Sequence, residues 1–311
     1  MNRLEALRQA YDGKFEWNEA SGVLRFTESG RIDFRRTREL SGVWKAPTEV
    51  RRIAIAKNVQ VTGQFTLRGD CTVEGEDRDT SVIYGTDTSG LLHDQGLDQF
   101  ARCAYYSAVL GQGPITVKVQ NLTTLNPVGF MWTGNSGTVM HLDSVTGIDN
   151  RGGWHNHSDG VSGAPGSTVR NCHLETGDDA IKAYKDITVV DTTICMIQNC
   201  VPIQLGWGAE TADSKAVFRN LKIYGDHGRG QLPGVIVGRG GSYRRNIEID
   251  GLELENPKAA LVSLYEAGME LDLTIENAQI AVKQFWGESA GRCRSEINGS
   301  ESQRATYEHA C

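Results

Sequence analysis

Asp159, in His157-Ser158-Asp159-Gly160-Val161, and the doublet in Thr176-Gly177-Asp178-Asp179-Ala180-Ile181-Lys182 are the residues of this chain best suited to chemistry. The doublet lies 19 and 20 residues after Asp159. Carboxylates crowded together cannot all ionise cheaply, so one keeps its proton at a pH where another has lost it. Hydrolysis of a glycosidic bond needs that pairing. A carboxylic acid protonates the leaving oxygen, and a carboxylate activates water on the opposite face of the sugar. A lone Asp-Gly would read as a turn closed by an Asx hydrogen bond. A doublet with a third aspartate one repeat away reads as function.

The repeat is what must position them. From about residue 115 a six-residue pattern recurs: apolar, any, Asn/Asp/Gly, small or apolar, any, apolar. It reads Val169-Arg170-Asn171-Cys172-His173-Leu174 and Val189-Val190-Asp191-Thr192-Thr193-Ile194. It returns at Phe218–Ile223, Ile249–Leu254 and Ile275–Ile280, with weaker copies at Val119–Leu122 and Leu142–Val145. Apolar residues alternate with period two on both sides of the third position, and the phase slips there by one. A strand that bends sharply while keeping its inward face needs such a slip. The bending residue favours φ > 0, which Asn, Asp and Gly tolerate best. Third positions fall at 121, 144, 171, 191, 220, 251 and 277, so the period is 20 to 31 residues.

One bent strand pair per repeat predicts an all-β fold, a single-stranded right-handed parallel β-helix whose coils bury their faces by stacking. A β-sandwich would show Asn-Gly hairpin turns between its strands, and these are largely missing. Leu4, Leu7 and Tyr11 have helical spacing, and Asp12-Gly13 supplies a stop, so a short N-terminal helix is expected to cap the first coil. Ile53–Ile55, Gln60-Val61, Phe65–Leu67 and Thr72-Val73 read as early strands. The expected organisation is a cap and lead-in over 1–50, a β-helix catalytic domain over 51–285 and a C-terminal tail or cap over 286–311.

In that frame Asp159 and Asp179 hold equivalent places on consecutive coils, and parallel strands stack about 4.8 Å apart. Asp178 reaches the same cleft from a strand–turn junction. Around them, Trp154 and Trp207 are flanked by glycines and suit stacking against the apolar faces of sugars. His155 and His157 can bind hydroxyls or tune an acid, and Lys182 can keep a nearby carboxylate ionised or simply point outward from a strand. Tyr184 and Gln204 complete the candidate binding set.

Bulk composition narrows the partners. The 36 glycines against 7 prolines fit many strands joined by tight turns. A net charge of −7 without basic blocks speaks against nucleic acid and anionic membrane. No apolar run is long enough to span a bilayer. The expected partner is a polysaccharide or oligosaccharide, the expected state a monomer or small homo-oligomer, and no cofactor or metal is called for. Met1–Arg8 lacks the apolar core of a signal peptide, yet a polymeric substrate implies a secreted, extracellular setting.

The seven cysteines include no CxxC, so they suit buried thiols better than zinc. Cys293 with Cys311 and Cys195 with Cys200 are the pairings open to a disulfide. Asn121, Asn156 and Asn298 each begin a glycosylation triplet, and a glycan on Asn156 would obstruct the proposed cleft.

The segment around the aspartates resembles the catalytic region of the polygalacturonase-like β-helix enzymes. In pectin hydrolases and in the dextranases of glycoside hydrolase family 49, an Asp-Gly is followed about one coil later by Asp-Asp. The resemblance implies an inverting hydrolase with Asp178 as general acid and Asp159 with Asp179 as the water-holding base pair. Pectin hydrolases continue with Gly-His-Gly and an Arg-Ile-Lys that grips a uronate. This chain instead has Gln204-Leu205-Gly206-Trp207-Gly208 and no Arg-Ile-Lys downstream. His-Ser-Asp-Gly, Asp-Asp-Ala-Ile-Lys and Gln-Leu-Gly-Trp are more similar to the dextranase and isopullulanase group, implying a neutral α-glucan such as dextran or pullulan. The resemblance is concentrated in residues 150–210, and family 49 adds a β-sandwich for which 311 residues leave no room beside a longer β-helix. Two alternatives stand beside it. One is a hydrolase or lyase of an acidic polysaccharide, for which Arg229, Arg239, Arg244 and Arg245 are the available cations. The other is a non-catalytic carbohydrate-binding β-helix.

Overall fold

The computed structural model describes residues 3–33, 42–94, 96, 104–153, 155–207, 212–299 and 305–309. The chain divides into two compact units, Met1–Ala164 and Pro165–Cys311. Each is a stack of parallel β-helix coils with three strand-bearing faces.

In the first unit, Val23–Phe26, Arg52–Ile55, Cys71–Gly75, Thr116–Gln120 and Val139–Asp143 pair in parallel as the first face. Gly30–Arg31, Gln60–Thr62, Val82–Tyr84, Thr123–Leu125 and Thr146–Ile148 form the second. Val43–Lys45, Gln64–Leu67, Val109–Gln112, Trp132–Asn135 and Val161–Ser162 form the third. The four early strands expected from sequence are all present. A hairpin that the sequence did not suggest, Phe15–Asn18 with Val23–Phe26, pairs antiparallel and covers the edge of the first face.

The expected helix runs Arg3–Ala10 and buries Leu4 and Leu7. Trp44 donates its indole Nε1–H to the Arg3 carbonyl at 3.0 Å, which docks the helix on the third face. Tyr11, Phe26, Phe65 and Trp44 continue inward as a chain of tilted and edge-on rings. None of the helices described is long and apolar enough to cross a membrane.

In the second unit the strands lengthen and run through the bend. Ile187–Met196, Ser214–Gly225, Tyr243–Leu264 and Met269–Ser289 stack in register on Ser167–Arg170. Ile181–Lys182, Ile203–Gly206 and Gly234–Gly238 form the third face and continue into the ends of the long strands. Arg292–Gly299 adds another parallel rung, and Ala305–His309 closes that edge antiparallel.

The bends lie where the phase slip puts them. Asn121, Ser144, Asn171, Asp191, Asn220, Gly251 and Asn277 all have φ between 50° and 80°. The residue after each, from Leu122 and Val145 to Leu252 and Ala278, is buried, so the inward face resumes at once. Side-chain amides stitch neighbouring bends together: Asn220 donates to Asp191 and Asn277 to Asp250, each at 2.8 Å. Asn277→Ala is therefore expected to cost about 1–2 kcal/mol in urea unfolding, because a Cβ-bearing residue without a local acceptor resists the left-handed region. Asn277→Gly should cost clearly less. Equal losses for both would show that the amide contact, not backbone conformation, holds the bend.

First-face strands alternate buried and accessible residues, as in Cys71–Gly75. Three third-face strands do not: Gln64–Leu67, Ile203–Gly206 and Gly234–Gly238 are buried throughout. The outward side of the third face is therefore covered along these strands. In the first unit the cover is an apolar cluster of Leu91, Leu92, Ala104, Tyr106, Val128 and Phe130, against which Val43 packs.

Candidate active site

In the second unit, Asp178 and Asp179 lie at the turn that opens the third-face strand Ile181–Lys182. The strand is pinned to the next coil by Ala180 N–H to the Val201 carbonyl at 2.9 Å and Ile181 N–H to the Pro202 carbonyl at 3.0 Å. Thr176 Oγ1 donates to the Asp178 carbonyl at 2.6 Å, so the turn is closed from inside. Both aspartates are more than nine-tenths buried. Two acidic groups at this depth need organised partners.

Those partners come from later coils. Gln204 Nε2–H donates to Asp179 Oδ1 at 3.1 Å. Gln204 is fully buried, and its Oε1 accepts no hydrogen bond among the described residues. Arg229 Nη2 lies 3.7 Å from Asp178 Oδ2, while its Nε–H donates to Asn199 Oδ1 at 3.0 Å. Asn199 is itself buried and donates its backbone N–H to the Gly177 carbonyl. Arg229 is thereby oriented by the same turn whose Asp178 it faces.

Lys182 is buried, and its Nζ lies 5.7 Å from the centroid of the Tyr184 ring. Trp207 follows the strand Ile203–Gly206 and is 43% exposed, unusual for so large an apolar ring. The Arg229 and Arg239 guanidinium carbons each sit 5.3 Å from its centroid. The other two cations proposed for an acidic substrate are committed elsewhere. Arg244 pairs with Asp272. Arg245 is fully buried, with Nε–H to the Leu205 carbonyl at 2.7 Å and a further bond to the Ala212 carbonyl. Sequence reasoning missed the structural role of Arg245, since its acceptors lie 40 and 33 residues away.

Cys200 lies against the turn, its Sγ 3.5 Å from Thr176 Oγ1. Burial, and then the nearby Asp179 and Asp178 charges, push its thiol well above the usual cysteine range. Cys195 and Cys200 are free, so the pairing held open for them is not made. Cys311 lies outside the described residues, while Cys71 and Cys293 are buried and pushed up to about 12, mainly by burial.

In the first unit, Asp159 precedes its third-face strand Val161–Ser162 by two residues, the place that Asp179 holds in its own coil. Its carbonyl accepts from Met131 N–H at 2.7 Å, and that of Gly160 accepts from Trp132 N–H at 2.9 Å. The segment leading to it is held by a buried ion pair. Arg151 grips Asp149 with two bonds, Nε to Oδ1 at 2.9 Å and Nη2 to Oδ2 at 2.6 Å. Arg151 also donates to Asn156 Oδ1 at 2.8 Å, and Asn156 returns a bond to Asp149. Asn156 is thus buried and spent on structure, which leaves no amide for a glycan. His155 is exposed and stacks on His93 with centroids 3.7 Å apart, and His157 is half-buried. Trp154 lies outside the described residues.

No family model matches the chain. It is 26% identical over 199 residues to a dextranase of Arthrobacter sp. (strain CB-8), an overlap of 57% of this chain and 29% of that protein. It is 28% identical over 109 residues to a dextranase of Arthrobacter globiformis, covering 34% of this chain and 17% of the relative. The match therefore spans less than a third of either curated relative. Among solved structures, Dex49A from Penicillium minioluteum superposes with a TM-score of 0.59 at 14% identity, over 92% of this chain and 55% of that one. In sequence and in fold, this parallel β-helix chain resembles the family 49 type of glycoside hydrolase.

Proposed function

We propose that the protein is a glycoside hydrolase that cleaves α-glucosidic bonds of a neutral polysaccharide of the dextran or pullulan kind, with inversion at the anomeric carbon. The observation that carries the reading is the buried Asp178–Asp179 doublet, each member with its own polar partner, beside an exposed tryptophan. Asp178 serves as the general acid. Asp179 serves as base for the attacking water, the role that the resemblance also gives to Asp159. Gln204 orients Asp179 through Nε2 and offers Oε1 as an acceptor. Trp207 supplies a platform for the apolar face of a glucose unit.

The chemistry follows from the division of labour. The acid must carry a proton when the leaving oxygen departs, and the base must be ionised when water attacks. Burial disfavours a full set of ionised carboxylates, which is the condition this division of labour needs. Similarity to dextranases supports the substrate class.

Reducing-sugar release from dextran, pullulan and polygalacturonate tests the reading, with proton NMR of the first anomer formed. Release from dextran or pullulan as the β-anomer is expected. Release of the α-anomer would overturn inversion, and turnover of polygalacturonate alone would overturn the neutral substrate.

A further inference from the structure

The first unit holds a cavity that the hydrolytic reading does not use. It measures about 660 Å³ and lies at the first coil. Its walls are the helix Arg3–Ala10, the hairpin of Phe15–Asn18 with Val23–Phe26, and the loop that follows Val43–Lys45. Asp159 precedes a third-face strand four rungs further along the same unit. At the spacing of parallel strands that is about 19 Å along the stack, so the cavity is a separate place.

The fold sets each wall. Arg3, at the start of the helix, donates from Nη1 to the Ala46 carbonyl at 3.4 Å, beside the bond it receives from Trp44. Ser21 N–H donates to Asn18 Oδ1 at 3.1 Å and shapes the hairpin turn. The Gly22 carbonyl then accepts from Arg51 N–H at 2.9 Å and Arg52 N–H at 3.2 Å, which ties that turn to the loop. Val50 N–H closes the loop on the Pro47 carbonyl at 3.1 Å. Walls held in this way lose little further freedom when a ligand arrives.

The lining combines one ring with charges of both signs. The half-buried indole of Trp17 shares it with the exposed carboxylates of Glu5, Glu19 and Glu49 and the exposed guanidinium groups of Arg8 and Arg51. Arg8 rests 5.1 Å from the centroid of the Phe15 ring. Among the described residues, none of these five charged side chains is in an ion pair, and the Trp17 Nε1–H has no acceptor. Carboxylates only accept hydrogen bonds and guanidinium groups only donate them, whereas a sugar hydroxyl does both. A neutral polyol therefore satisfies the whole lining. An anion would face three carboxylates and a cation two guanidinium groups, so net charge on the ligand is disfavoured. The indole suits the apolar face of a pyranose ring. The volume falls within the roughly 300–1,000 Å³ usual for small-ligand sites.

We infer that this cavity is a second, non-catalytic binding site for a stretch of neutral oligosaccharide, built on Trp17. The inference rests on the reading of a neutral polysaccharide substrate and adds a holding point for that polymer at the capped end of the first unit. A polymer held at one site meets the other at a raised effective concentration. No bond is made or broken.

The test is calorimetry with isomaltohexaose, and with maltohexaose for a polymer of the pullulan kind. The full chain carries Asp178→Asn so that ligand is not consumed. Adding Trp17→Ala to this parent should abolish one class of bound oligosaccharide or weaken it at least about tenfold, the usual result of truncating an aromatic anchor. Trp17→Phe should restore much of the binding, because it keeps a ring face. Trp207→Ala should leave the class that depends on Trp17 in place. Identical isotherms for the parent and Trp17→Ala overturn the inference. Should Trp17→Ala fail to fold, Glu49→Ala/Arg51→Ala, on exposed side chains, makes the same comparison, and identical isotherms again overturn it. Binding that depends on Trp17 in a chain that hydrolyses neither dextran nor pullulan counts against the proposed function alone. Hydrolysis without such binding counts against the second site alone.

Discussion

Asp178→Asn is expected to lower kcat on dextran by about 10²- to 10⁴-fold, the contribution of a positioned general acid, with little change in KM. The amide matches the carboxylate in shape, so the turn closed by Thr176 and the strand that follows should persist. What is lost is the proton for the leaving oxygen. A substrate whose leaving group departs without protonation, such as an aryl glucoside with an acidic phenol, should therefore regain most of the rate in this variant. Asp179→Asn should not be rescued that way, because water activation is still required. Parallel kinetics on dextran and the aryl glucoside check both statements. Full activity of Asp178→Asn on dextran would remove it as the acid, and equal rescue of both variants would remove the division of roles.

Asp149→Ala is expected to destabilise the first unit by about 3–5 kcal/mol, the usual result of stranding a buried charge. Its partner Arg151 has a side chain only 3% exposed, and Asp149 is fully buried. Removing the carboxylate leaves the guanidinium with Asn156 and the Thr86 carbonyl, neither of them charged. The double variant Asp149→Leu/Arg151→Met should recover much of the loss, since a buried ion pair is often replaceable by apolar groups of similar volume. Urea unfolding of the three proteins measures this. An unchanged midpoint for Asp149→Ala would show that the network does not hold the segment. The double variant should still lose activity on dextran, because Asn156 no longer anchors the stretch between Asp149 and Asp159.

Both expectations concern residues that the chain advertises unequally. Asp178 is legible from its neighbour and from its distance to Asp159. Asp149 lies in an ordinary Asp-Asn-Arg-Gly stretch, and its importance appears only once Arg151 and Asn156 fold over it. The same contrast runs through the fold. The bend at Asn171 can be read from six consecutive residues, because alternation and a left-handed residue are local properties of a strand. The hairpin at Phe15–Phe26 could not be read so, since its turn, Glu19-Ala20-Ser21-Gly22, lacks the Asn-Gly signature and its strands are only four residues long.

Tertiary structure decided the surroundings of the doublet. Gln204 reaches Asp179 and Arg229 reaches Asp178 from later coils, and Arg229 also lies over Trp207. Trp207 and Arg239 lie 32 residues apart, so no fixed period announces that they meet. The sequence by itself determined the coil, its bends and the spacing of the acidic residues, because each depends on neighbours along the chain. Which cations and rings meet those acids depends on strand register between coils, and register is settled only when the buried faces close against one another.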